Sequence, residues 1–323
     1  MHTHAHLRRV FEDWDRDATA AEARASLFLT MAVTLAALLF ASSLTAAAVA
    51  PTVEIAPSVL MPMIVDGCDY GKQTKDKTNY TTWFVDTAWS YFNQGNSLRA
   101  QKVVVQEEIF LQTKIECMGS VESTIAAGEY DLAQLGMDYV DLLLIHTPYL
   151  GWGEPYSNCS QGAAGKAARQ ATWRGMEALQ RAGKAKAIGV SNFNVEELQE
   201  ILEIAEIAPA VNQAAFCVGY SDNRTIGFQR QLTPPIVYQA YSPLGGSDWD
   251  PSAPTVMSIA AKHNRTAAQV GLRYMIQCGS PLATASLNPQ HLADDLVLDI
   301  FDWELSAQEM AVLNSECFPK PPP

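Results

Sequence analysis

Asp86, Lys114 and His146 close or directly follow short apolar runs, "WFV", "IFLQT" and "VDLLLI", and Tyr91 follows Asp86 by five residues. Taken singly, Asp86 reads as a helix cap, Lys114 as a surface charge and His146 as a satisfied buried side chain. Taken together, they hold what hydride transfer to a carbonyl needs. Hydride arriving at the carbonyl carbon creates an alkoxide, which must receive a proton or have its charge stabilised. A phenol is too weak an acid for this at neutral pH, since its pKa lies near about 10. An ammonium at about 4 Å offers up to roughly 4 kcal/mol at an effective dielectric of about 20, equivalent to about three pKa units before desolvation opposes it. In such a group Tyr91 is the proton donor and Lys114 the cation beside it. Asp86 keeps Lys114 charged and in place, and His146 is a neutral donor that orients the substrate oxygen. A Schiff-base role for Lys114, as in an isomerase or aldolase, is disfavoured because a neighbouring aspartate keeps the amine protonated.

Residues so far apart in sequence must be gathered by the fold. After Pro51 the chain alternates short apolar runs, polar turns and helix-like segments, the pattern of parallel β/α units. Eight strands are predicted, at 62–66, 83–86, 109–114, 140–146, 186–191, 209–213, 236–241 and 282–286. Several are apolar at consecutive positions, as strands covered on both faces are. Helices fit between them, among them "SVESTIAAGEYDLAQLG" ending at Gly136 and "TWRGMEALQRAG" ending at Gly183, each with a glycine stop. The connection over 72–80 is too short for a normal parallel crossover, so the first helix is predicted to be a single turn or absent. The expected fold is therefore α/β, a (β/α)8 TIM barrel whose strand C-termini open on one face.

The formal net charge of −13 argues against a sequence-independent grip on nucleic acid, which requires a cationic stripe. The six cysteines show no CxxC pair and no metal-ligand spacing, so they read as scattered thiols rather than as a zinc or redox site, and whether any pair is oxidised depends on the compartment. Residues 25–50 carry no charge and are apolar enough to span a bilayer. The expected organisation is a cytosolic segment over 1–24, a transmembrane or signal-anchor helix over 25–50, a barrel over 51–318 and a proline-rich tail over 319–323. Arg8, Arg9, Arg16 and Arg24 precede the apolar stretch, which keeps the N-terminus cytosolic and puts the barrel on the far side of the membrane. Cleavage after "LTAAAVA" with secretion, or an organellar address, are the alternatives. On the far side, the sequons at Asn79, Asn158, Asn223 and Asn264 become glycosylation sites.

From Pro51 to about Phe318 the chain resembles the aldo-keto reductase family. The motifs "DTAWSYFNQ", "LGMDYVDLLLIHTP", "GKAKAIGVSNF", "VNQ" and "AYSPLG" fall in that family's order and near its spacing. The resemblance implies a TIM barrel that binds NADPH in an extended pose without a GxGxxG fingerprint, and reduces small aldehydes or ketones. It matches Asp86, Tyr91, Lys114 and His146 to the catalytic tetrad, and implies no metal. It matches Ser191, Asn192 and Gln213 to the side chains that hydrogen-bond the nicotinamide carboxamide, Tyr241 to the ring beneath the nicotinamide, and Ser242 and Leu244 to the pyrophosphate loop. Apart from the resemblance, Asn192 also reads as a helix cap and Tyr241 as barrel core. In "TASLNPQHLADDL", Ala285 and His291 occupy the positions of the family's lysine and arginine, leaving Ser286 and Asn288 as polar contacts. Two charge-assisted contacts to a 2′-phosphate are thereby missing, each worth about 1.5 to 3 kcal/mol, so NADH becomes an alternative cofactor. Thr147 replaces a common tryptophan, leaving Trp89, Tyr149 or Trp152 to supply apolar substrate wall. The competing function is a non-catalytic cofactor-sensing or regulatory subunit on a membrane.

Overall fold

A computed structural model of the chain describes residues 51–67, 84–91, 109–149, 158–245, 250–286 and 298–315. The predicted membrane segment at 25–50 and the short connection at 72–80 lie outside these residues. No helix among the described residues is long and apolar enough to cross a membrane.

Eight parallel strands close a barrel: β3 (Ile64–Gly67), β4 (Phe84–Asp86), β5 (Phe110–Ile115), β6 (Val140–Ile145), β7 (Ala185–Ser191), β8 (Val211–Ala215), β9 (Val237–Tyr241) and β10 (Leu282–Thr284). They pair in sequence order, and β10 closes the ring by pairing with both β9 and β3. All eight predicted strands are present. The eighth is shorter than expected, and the predicted 209–213 strand is shifted toward the C-terminus by two residues.

Side-chain alternation sorts each strand into two faces. Leu111, Ile115, Leu143, Ile145, Ile188 and Val190 point outward onto Leu132, Leu135, Trp173, Met176 and Leu179 of the surrounding helices. Val65, Phe110, Leu142, Leu144, Ala187 and Val211 fill the interior. Gly189 is needed where β7 meets β8, because a Cβ there would lie 2.4 Å from the Val211 carbonyl oxygen.

The helices begin and end where their caps dictate. Ser120 caps the Val121–Leu135 helix by accepting from the Ser123 amide, and Gly136 stops it at φ 70°. The Lys166–Arg181 helix is followed by Gly183 at φ 71°. Asn194 and Glu197 form a capping box on the Val195–Leu202 helix, so the cap is Asn194 and not Asn192.

Two features differ from expectation. A hairpin of β1 (Thr52–Ala56) and β2 (Val59–Pro62) precedes the barrel, and its Ile55, Val59 and Met61 pack against the interior side chains. It turns at Pro57 and Ser58, the latter at φ 63°, with the Ser58 amide donating to Glu54 Oε1 at 3.1 Å. The second concerns the cysteines, whose pairing the sequence leaves open: Cys117 and Cys159 form a disulfide. It joins the end of β5 to a segment that buried Arg169 fixes by donating to the carbonyls of Ser160 and Gly162.

Glu309 ties the last helix, Ala307–Ser315, to the Pro254–His263 helix. Its carboxylate accepts from Lys262 Nζ at 2.8 Å, from His263 Nε2 at 3.1 Å and from the Ser306 amide at 2.7 Å. Burial alone would raise this carboxyl, but hydrogen bonds from Lys262, Ser306 and His263 outweigh it and hold it down at about 2. A lowered folded-state pKa gives stability that is fully present above the unfolded value of 4.5 and disappears as pH falls through about 2. Glu309→Gln is therefore expected to cost about 1 to 2 kcal/mol at neutral pH and to flatten the loss of stability across that acid window. Urea unfolding of both proteins between pH 2 and 7 checks this, and parallel pH curves would count against it.

Candidate active site

The C-terminal ends of the strands open into a cleft of about 400 Å³, within the range of small-molecule sites. The inward column of β5 runs Phe110, Gln112, Lys114 and then, one residue past the strand, Glu116, so its character changes from apolar to charged toward the cleft. The Thr87 amide donates to the Gln112 carbonyl at 2.9 Å and the His146 amide to the Ile115 carbonyl at 2.8 Å. The ladder thus holds residues that lie just past their strands.

Lys114 is 1% exposed, and an ammonium so buried must be compensated. Its Nζ donates to Asp86 Oδ1 at 2.6 Å, to the Thr87 carbonyl at 3.1 Å and to the Tyr91 hydroxyl at 3.3 Å. Gln112 Nε2 also donates to Asp86 Oδ1, at 2.7 Å. Tyr91 sits in a single 3-10 turn, Trp89–Tyr91, and meets the His146 ring edge-on with centroids 5.7 Å apart. The three residues picked out at strand ends therefore converge with Tyr91 as a contiguous group, and Asp86, Tyr91 and His146 line the cleft.

A second cluster lines the same cleft. The Asn192 amide donates to the Gln213 carbonyl at 2.9 Å, and its side-chain Nδ2 donates to the His146 carbonyl at 2.9 Å. Asn192 Oδ1 accepts from the Tyr241 hydroxyl at 2.9 Å. These contacts hold Asn192 at φ 65°, a left-handed conformation that asparagine tolerates better than most residues. Ser191 Oγ donates to the Gln213 carbonyl at 2.8 Å, and Gln213 Nε2 to Gln239 Oε1 at 3.0 Å. Burial, with Tyr220 nearby, pushes the Tyr241 phenol up to about 12, so it stays a neutral donor. This set of hydroxyls, carboxamides and one neutral aromatic ring suits a planar ring bearing a carboxamide.

Ser242 and Leu244 also line the cleft, with Ser242 at φ 50°. Ser286 is not among the lining residues, and Asn288 and His291 lie outside the described residues. Thr147 and Ala285 line the wall, and no lysine or arginine lines the described cleft. Trp89 and Tyr149 are not among its lining residues, and Trp152 lies outside the described ones. Gln112 and Glu116 were missed by the sequence reading, although their two-residue spacing from Lys114 on a strand places them on the same face.

Residues 77–315 match the Aldo/keto reductase family. The chain is 33% identical over 246 residues to a morphine 6-dehydrogenase of Pseudomonas putida, covering 71% of this chain and 77% of that protein. It is 37% identical over 237 residues to a glyoxal reductase of Bacillus subtilis, covering 72% and 77% respectively. Among solved structures, a Bombyx mori aldo-keto reductase in complex with NADP superimposes with a TM-score of 0.72 at 25% identity, covering 84% of this chain and 94% of that one. The chain belongs to the aldo/keto reductase family. It is accordingly an oxidoreductase on an eight-stranded parallel barrel. This aldo/keto reductase carries a Cys117–Cys159 disulfide and an uncharged Ala285 in its cleft wall.

Removing one member of a buried ion pair strands the other, at a cost of about 3 to 5 kcal/mol. Lys114→Met is expected to destabilise by that amount, and adding Asp86→Asn should recover most of it. Chemical denaturation of the two single variants and the double variant measures the coupling; strictly additive effects would show that the pair is not interacting as described.

Proposed function

We propose that the protein reduces an aldehyde or ketone to an alcohol with NADPH, the proton coming from Tyr91. The observation that carries this reading is Lys114 Nζ bonded at once to Asp86 and to the Tyr91 hydroxyl. A cation held there stabilises the phenolate left when Tyr91 gives up its proton, and Asp86 prevents the amine from acting as a nucleophile. His146, beside Tyr91, is placed to orient the substrate oxygen. A cofactor-sensing subunit has no use for a lysine buried against a phenol, which favours catalysis.

Reduced nicotinamide would supply the hydride. Ser191, Asn192 and Gln213 would hold its carboxamide, Tyr241 its ring face, and Ser242 and Leu244 the pyrophosphate side, with Ser286 and Asn288 as further polar contacts. The related Bombyx mori enzymes solved with NADP and with NADPH support the phosphorylated cofactor. Ala285 weakens the grip on a 2′-phosphate, so NADH is the alternative. Tyr91→Phe is expected to lower turnover by about a hundredfold or more, while fluorescence titration gives the same affinity for NADPH. Parallel loss of turnover and affinity would contradict the role given to Tyr91, and failure of the unaltered chain to bind NADPH or NADH would defeat the reductase reading.

The same proposal places the barrel on the non-cytosolic side of a membrane, held by residues 25–50. The Cys117–Cys159 disulfide supports this, because such bonds persist in oxidising compartments and are rare in reducing ones. Asn158, Asn223 and Asn264 of the sequons are exposed, and Asn79 lies outside the described residues. Thiol alkylation of the denatured native protein should reveal two additional thiols after reductant. Full alkylation of all cysteines without reductant would rule this placement out.

A further inference from the structure

His146 has a partner that neither the carbonyl chemistry nor the family motifs assign. Glu116 is 0% exposed, and its Oε1 lies 3.0 Å from His146 Nδ1. Its other carboxylate oxygen accepts only from Thr147 Oγ1, at 3.4 Å, among the described residues. A buried carboxylate with so little other support depends on the imidazole for compensation. The His146 side chain is 12% exposed and borders the cleft.

The short contact between Nδ1 and Oε1 requires a proton between them, because two bare lone pairs would repel. With only that proton, the ring turns a lone pair on Nε2 toward the cleft, where it repels a carbonyl oxygen. With a second proton, Nε2–H becomes a donor and the buried pair has no net charge. Ser90 Oγ, 3.1 Å from Nδ1, accepts a share of that same proton in either form and so does not choose between them. Among the described residues, the other charged groups lining or touching the same site are Lys114 and Asp86, paired with each other at 2.6 Å. Asn192 touches only the His146 carbonyl, and Tyr91 presents a ring edge-on.

We propose that Glu116 is a positioning residue for carbonyl reduction: its buried carboxylate holds His146 Nδ1–H and retains a second proton on Nε2, making the ring a donor to the substrate oxygen. No bond other than hydrogen bonds is made or broken by the pair; the proton delivered to the alkoxide still comes from Tyr91. His146 is thus an imidazolium paired with a carboxylate, rather than the neutral donor expected from sequence. Carbonyl binding is then linked to the protonation of the pair, while cofactor binding is not. This inference rests on the reductase reading for its kinetic consequence but not for its protonation state.

The test uses the full chain with 15N-labelled histidine and the variants Glu116→Gln and Glu116→Asp. Long-range proton–nitrogen spectra should show His146 holding two protons in the wild type at a pH where the Gln variant holds one. The Asp variant, which keeps the charge but retracts it, should fall between them. In turnover, Glu116→Gln should raise the KM for an aldehyde about tenfold or more at neutral pH, as expected for a lost charged hydrogen bond, with NADPH affinity unchanged. Identical His146 spectra in the wild type and the Gln variant, or a single proton resident on Nε2 in both, would overturn the proposal. If the wild type reduces no carbonyl, the reductase reading fails, and the spectra still decide whether Glu116 sets the protonation of the ring.

Discussion

A lysine ammonium buried at the mouth of a barrel is the constraint around which the site is arranged. Left alone, such a charge would lose its proton or destabilise the fold by several kcal/mol. It persists because Asp86, at the end of the neighbouring strand, supplies a carboxylate at 2.6 Å and the Thr87 carbonyl a further acceptor. The pair in turn requires β4 and β5 to end at matching heights, which their parallel register provides by setting Asp86 against Gln112. Tyr91 then needs only one 3-10 turn beyond β4 to bring its hydroxyl to the same amine.

The barrel interior is graded from end to end. On β5 the inward positions pass from Phe110 through Gln112 to Lys114, and on β9 from Val237 through Gln239 to Tyr241. The apolar end is closed by Ile55, Val59 and Met61 of the β1–β2 hairpin, which keeps water from the lower layers. The polar end is closed by mutual hydrogen bonding, as between Gln213 and Gln239 or Asn192 and Tyr241. Hydrophobic burial at one end thus supports a rigid set of polar groups at the other, and such pre-positioned dipoles are what charge development in a reaction requires.

Much of this was legible in the residues. Doubly covered strands leave uninterrupted apolar runs such as "VDLLLI", and the polar residue that ends each run marks the open face. The hairpin escaped notice because its turn is built on Pro57 and Ser58, without the Asn-Gly or Asp-Gly that advertises a tight reversal. The disulfide escaped because its cysteines lie 42 residues apart, and only the folded path of the chain brings them together. Glu116 was readable in principle from strand alternation, two residues after Lys114, but a glutamate just past a strand resembles a solvent-facing loop residue until its burial is known. The cap at Asn194 in place of Asn192 is set by Glu197, which completes a capping box three residues on, while tertiary hydrogen bonds hold Asn192 at positive φ.

One strand fixes the relation between the two groups proposed to handle the substrate oxygen. Lys114 and Glu116 are successive inward residues at the end of β5, so their backbone positions are about 6 to 7 Å apart. The first reaches Tyr91 and the second reaches His146, which brings the phenol and the imidazole together from opposite sides of the same column. At its start β5 is pinned by the Leu111 amide donating to Asp141 Oδ2 at 2.8 Å, and just past its end by the Cys117–Cys159 bond. β5 therefore sets the spacing of Lys114 and Glu116, and through them that of Tyr91 and His146.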